Sequence, residues 1–158
     1  MNSRIAFASL LLFFGAIAGP LEAKTVEDVL AGTLILDEGA LPTKYSSTDE
    51  YASRLRKLSK TTLAYDKKTG KVRIYYAAFF AQPVNDLQVD FVIYDISNGI
   101  AGKLKKGAWP ASLGRKGERA VYGSAELDQK KLGGNKKFQI AIEYKGKTLA
   151  YSQVSVRG

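Results

Sequence analysis

The chain has 158 residues and a formal net charge of +9, with no Cys, no His, one Met and one Trp. Those absences exclude imidazole general acid–base catalysis, Ser–His–Asp triads, cysteine nucleophiles and disulfides. They also exclude soft-ligand centres for zinc, copper, haem or iron–sulfur clusters, so no metal and no cofactor is expected. The charge is uneven: Lys24 to Gly99 holds ten Lys/Arg against ten Asp/Glu, and Ile100 to Gly158 holds thirteen against four.

Residues 1–23 read as a cleaved secretory signal peptide. Arg4 supplies a positive start, Ile5 to Ala18 is uncharged and apolar, and Gly19-Pro20 breaks a helix before the small residue Ala23. The apolar stretch would rise only about 21 Å as a helix, short of the roughly 30 Å hydrocarbon core. Cleavage is expected between Ala18 and Ala23, leaving residues 24–158 as one domain with room for a single core. No Cys follows the signal, which excludes a lipid-bearing N-terminus, and export without Cys favours a bacterial periplasmic or secreted protein. No transmembrane segment is expected after cleavage.

Residues 24–32 suit a helical turn or an arm over a sheet, and Thr33–Asp37 a short strand. Ser47-Thr48-Asp49-Glu50 has the capping-box pattern, in which the Ser47 hydroxyl takes an orphan amide and Glu50 reaches back. Tyr51, Leu55 and Leu58 follow at helical spacing, predicting one amphipathic helix near 48–59. The period then becomes two. Thr61–Tyr65 and Lys71–Ala81 flank Asp66–Gly70, which predicts a hairpin with Gly70 at positive φ. Val72, Ile74, Tyr76, Ala78 and Phe80 would line one face of the second strand, while Ala77 and Phe79 suggest burial on the other. Leu87–Ile96 alternates, with Leu87, Val89, Phe91 and Ile93 inward.

Residues 100–118 keep no period and hold five of the chain's Gly and Pro residues, predicting a long connection with one short edge strand near Lys103–Ala108. Arg119–Leu127 reads as a strand, Gly133-Gly134-Asn135 as a turn, and Lys137–Tyr144 with Thr148–Val156 as a terminal hairpin. Phe138, Ile140, Ile142 and Tyr144 would face inward and Gln139 outward, with a bulge near Ser152. The sum is a mainly β fold: an antiparallel β-sandwich of six or seven strands with one short helix. The closing strands resemble, in architecture alone, those of immunoglobulin-like and fibronectin-type domains.

Motifs with catalytic meaning fail on inspection. Gly146-Lys147-Thr148 mimics the end of a phosphate-binding loop, but Ala141 stands where the first glycine belongs. Ser59 and Lys60 are adjacent, so their side chains diverge. Asp86, Asp90 and Asp95 lie along one strand, and Asp86 and Asp90 share a parity that would suit a carboxylate pair or a calcium site but reads as the strand's outward polar face. No catalytic residue is assigned.

The segment that points to chemistry is Gly102–Arg119. Lys103, Lys105, Lys106, Arg115, Lys116 and Arg119 surround Trp109, as ligand-binding candidates on a basic loop. A flat aromatic amid cations suits a polyanion, a glycan or a protein partner. The opposing reading makes Trp109 a plug for one end of the sandwich. The expectation is a non-enzymatic binding or scaffold subunit of the bacterial cell envelope, its partner another envelope protein or complex. The alternative is a carbohydrate- or polyanion-binding module using Trp109, with an anionic glycan or lipopolysaccharide as ligand. Nucleic acid is an unlikely partner for an exported chain.

Overall fold

The computed structural model describes residues 23–158, so the expected signal peptide, Ala23 apart, lies outside the described residues. The strands are β1 (Leu34–Asp37), β2 (Thr62–Ala64), β3 (Lys71–Val84), β4 (Gln88–Asp95), β5 (Leu104–Ser112), β6 (Glu118–Asp128), β7 (Lys136–Tyr144) and β8 (Lys147–Arg157). The helices are α1 (Val26–Val29), α2 (Thr48–Leu58) and α3 (Gln129–Leu132). The fold is mainly β, in two sheets ordered β1-β3-β6 and β2-β8-β7-β4-β5. No helix among the described residues is long and apolar enough to cross a membrane.

Alternation decides which residues meet. Val72, Ile74, Tyr76, Ala78 and Phe80 of β3 share one core cluster with Val89, Phe91 and Ile93 of β4 and with Phe138, Ile140 and Ile142 of β7. The two sheets therefore bury facing surfaces against each other, at about 1.5–3 kcal/mol for each large side chain removed from water. The other face of β3 is buried as expected. Ala77 and Phe79 pack with Ile35 of β1, Val26 and Leu30 from the α1 segment, and Tyr51, Ala52 and Leu55 of α2. Helix α2 starts at Ser47, whose Oγ accepts from the Glu50 amide at 3.3 Å. The capping box is only half made, because the Glu50 carboxylate accepts from Ser46 Oγ instead.

Several expectations need correction. Among the described residues there are eight strands, not six or seven, and β2 pairs parallel with β8, so the architecture is not wholly antiparallel. The hairpin at Asp66–Gly70 is a passage between sheets: its turn forms, with Gly70 at φ +67°, but β2 and β3 do not pair. Turn chemistry specifies the bend and leaves the partner of a three-residue strand open. The bulge lies at Leu149, where the β7–β8 register shifts, not at Ser152. Of the two readings of residues 24–32 the helical turn is the one that forms, as α1, and the short helix α3 was not expected. Leu87 precedes β4 and is 52% exposed. Gln139 is 7% exposed, because it sits mid-sheet on β7 between Gln153 of β8 and Tyr94 of β4.

The largest correction concerns residues 100–118. Leu104–Ser112 is a nine-residue edge strand paired along β4, not a connection with a short strand. Periodicity misses it because its register shifts: Ile93 faces Gly107 and Tyr94 faces Lys105, leaving Lys106 as the extra residue of a bulge. Lysines, a proline and a bulge are features that protect an edge strand from pairing with another chain.

Candidate binding site

Strand β5 ends the five-stranded sheet and β6 ends the three-stranded one, so the core opens between them. Trp109 stands at that opening. It lies directly across from Phe91, so it takes the inward side of β5, yet with no further strand beside it the indole stays 43% exposed. The ring centroids of Trp109 and Phe91 are 6.1 Å apart, and those of Phe91 and Tyr76 are 4.8 Å apart. Trp109 is thus neither a buried plug nor the tip of a loop.

Two glycines make room for these rings. A Cβ on Gly107 would stand 2.6 Å from Trp109 Cη2 and 3.0 and 3.1 Å from its two ring neighbours. Near-equal distances of that kind place the Cβ on the ring's face, so the indole lies flat over the β5 backbone. A Cβ on Gly123 would stand 2.4 Å from the Tyr76 hydroxyl oxygen, so the Tyr76 ring crosses β6 there. Trp109, Pro110 and Phe91 of the five-stranded sheet and Tyr76, Ser124, Ala125 and Glu126 of the three-stranded one then line a cleft of about 170 Å³. A second cleft of about 150 Å³ also borders Trp109 and is lined further by Lys71, Lys106, Glu126, Asp128, Lys131 and Leu132.

The basic candidates divide into separate groups. Lys103, Lys105 and Lys106 sit at the start of β5 and are exposed, with Lys103 Nζ lying 4.3 Å from the Tyr94 ring centroid. Arg115 and Lys116 lie beyond the other end of β5, past roughly 27 Å of extended strand. Arg115 pairs with Glu118 at 2.7 Å. Arg119 is a structural residue: its guanidinium meets Asp28 at 2.7 Å and donates to the Phe80 carbonyl at 3.2 Å, tying the α1 segment to the sheet. These contacts remove Arg119 from a ligand site with Trp109.

Other cations take their place. Lys71 from the start of β3 and Lys131 from α3 meet Lys106 in the cleft beside the indole. Lys71 is held by Glu126 at 2.7 Å, and among the described residues Lys106 and Lys131 make no ion pair. The sequence hides this grouping because Lys71 and Lys131 are remote from Trp109 along the chain. Only the β3–β6 register, which sets Lys71 opposite Asp128, brings them there.

Two polar ties lie elsewhere on the five-stranded sheet. Lys136 donates to Asp95 at 2.6 Å, and that hydrogen bond together with the Ser97 amide lowers the Asp95 carboxyl to a pKa of about 2. Tyr94 donates to Glu143 at 2.8 Å; desolvation first, then that carboxylate, pushes the phenol up to about 12. Asp86, Asp90 and Asp95 do not gather. Asp86 accepts from Tyr144 at 3.3 Å, Asp90 lies across from Glu143, and Asp95 is committed to Lys136.

No family model matches this chain, and no curated protein matches it. Among solved structures, a β-glucosidase from Listeria innocua in complex with gluconolactone aligns over 79% of this chain and 16% of its own length. The identity is 13% and the TM-score 0.37, a likeness too low to bear on fold or function.

Proposed function

We propose that the protein is an exported, non-enzymatic binding or scaffold subunit of the bacterial cell envelope, built on an immunoglobulin-like β-sandwich. Supporting the fold reading, the order β1-β3-β6 corresponds to strands A, B and E of that architecture, and β8-β7-β4-β5 to G, F, C and C′. Such sandwiches carry unrelated functions, so activity has to be argued from the site. The observation that carries the binding reading is the half-exposed Trp109 at the open edge between β5 and β6. A large aromatic surrounded by polar groups is the usual anchor of a recognition surface. Export rests on the N-terminal sequence alone, and the non-enzymatic reading on the missing His and Cys.

The test is capture from envelope extracts by the chain beginning at Lys24, with Trp109→Ala as control. The expected result is a specific protein retained at moderate salt and lost with the variant. Equal capture by both would remove the open edge from the function. Mass spectrometry of the exported protein should find its first residue at Lys24, and a chain still starting at Met1 would refute export by cleavage. A second reading, a carbohydrate- or polyanion-binding module, is favoured by Lys71, Lys106 and Lys131 meeting beside the indole.

A further inference from the structure

We infer that the Trp109 indole is a stacking platform for one sugar ring bearing an anionic substituent, with Lys106 and Lys131 taking the anion. The inference rests on the second reading above and names its ligand. The platform is built rather than incidental. Gly107 lets the six-membered part of the indole lie face-down on the strand, and any other residue there would meet it within 3.1 Å. One face is thus backed by the protein, and the 43% exposure of the side chain leaves ring surface open to solvent.

The rim around the indole discriminates between occupants. Trp109 and Glu126 are common to the two clefts, and Lys71, Lys106, Asp128 and Lys131, with Leu132 the one apolar member, complete the boundary of one. A pyranose has a face of C–H bonds for the indole and an edge of hydroxyls, each a donor and an acceptor. Its edge can therefore satisfy carboxylates and ammonium groups together. An apolar peptide side chain would desolvate the same charges without pairing them, which is costly. Three lysines against two carboxylates leave one positive charge over, which calls for an acidic sugar, a uronate or a phosphorylated hexose. Clefts of about 170 and 150 Å³ are below the usual pocket for a drug-sized ligand and suit a single ring on the platform.

Trp109 is the chain's one tryptophan, so its emission reports the site directly. Emission should be titrated with short oligogalacturonates, with an uncharged galacto-oligosaccharide of equal length, with glucose 6-phosphate, and with inorganic phosphate. Expected is a saturable change with a charged sugar, weaker by about tenfold for the uncharged one, and none with phosphate alone. Which charged sugar responds separates carboxylate from phosphate as the anion. Gly107→Ala should tilt the indole and weaken binding roughly tenfold, the scale of ring-on-aromatic stacking. Its melting temperature should stay close to the parent's, because the ring it displaces is half-exposed. Lys106→Ala with Lys131→Ala should abolish the preference for the charged sugar and keep the residual binding.

No response to any sugar at millimolar concentration would overturn the inference, as would an equal response to phosphate or unchanged affinity in Gly107→Ala. If sugars fail while a captured envelope protein still requires Trp109, the platform is refuted and the open-edge reading survives. If neither sugar nor protein binding depends on Trp109, both fall.

Discussion

At the scale of single residues, the informative positions are those where a side chain is missing. Gly123 sits under the Tyr76 ring, which is buried and cannot swing away. Gly123→Ala should therefore cost about 1–3 kcal/mol by overpacking, read as a lower denaturation midpoint. An unchanged midpoint would mean that the Tyr76 hydroxyl moves freely. Trp109→Ala should cost about 1–2 kcal/mol, below the 3–5 expected of a buried ring, because much of the indole already meets water. The sequence made Trp109 a candidate, and the structure places it at the open edge between β5 and β6. The role of Gly107 was not legible, since only the register of β5 shows which backbone atoms a tryptophan two positions away lies upon.

At the scale of elements, the strongest polar tie joins the end of β4 to the start of β7 through Asp95 and Lys136. The folded protein lowers the Asp95 pKa to about 2 from an ordinary 3.8, so the unfolded chain binds its proton more readily. The stabilisation is fully present above about pH 4 and disappears as pH falls through about 2, with a size of order 1–2 kcal/mol. Asp95→Asn should lower stability at neutral pH and flatten the acid side of a pH–stability curve between those limits. A parallel downward shift of the whole curve would assign the loss to packing instead. Helix α2 offers a second test: Leu55 is fully buried, and Leu55→Ala should cost about 2–5 kcal/mol in a denaturant melt. Elements with a clean period, α2, β4 and β7, were legible to within a residue, whereas β3 runs three residues past its expected end at Ala81, through Pro83 to Val84. The bulge at Lys106 erased the period of β5, and helices as short as α1 and α3 have too few residues to show one.

At the scale of the whole molecule, the basic excess after Ile100 is not one loop. Lys106 lines one cleft with Lys71 and Lys131, Lys103 and Lys105 lie beside Tyr94 at the same end of β5, and Arg115 and Lys116 stand beyond its far end. Reversing Lys105 and Lys106 to Glu should abolish salt-sensitive binding of an anionic ligand, whereas reversing Arg115 and Lys116 should leave it nearly intact. Charge attraction decays over about 8 Å at physiological salt, far less than the strand between the two groups. Equal loss from both pairs, read by titration at two salt concentrations, would put the partner along the whole length of β5. That two sheets pack across one core could be read from alternating strands. Which strands neighbour one another could not, because pairing joins residues far apart in sequence and is decided by the faces each strand must bury.

One pairing sets an order in time. β2 finds its partner only in β8, the Tyr65 amide donates to the Arg157 carbonyl, and the Gly158 amide donates to Asn135. A chain delivered N-terminus first from the ribosome cannot complete this sheet until β8 emerges. Until then the β2 segment has no strand to pair with, and the five-stranded sheet lacks its outer members. A chain truncated after Tyr144 should accordingly stay open to protease, while the full chain resists.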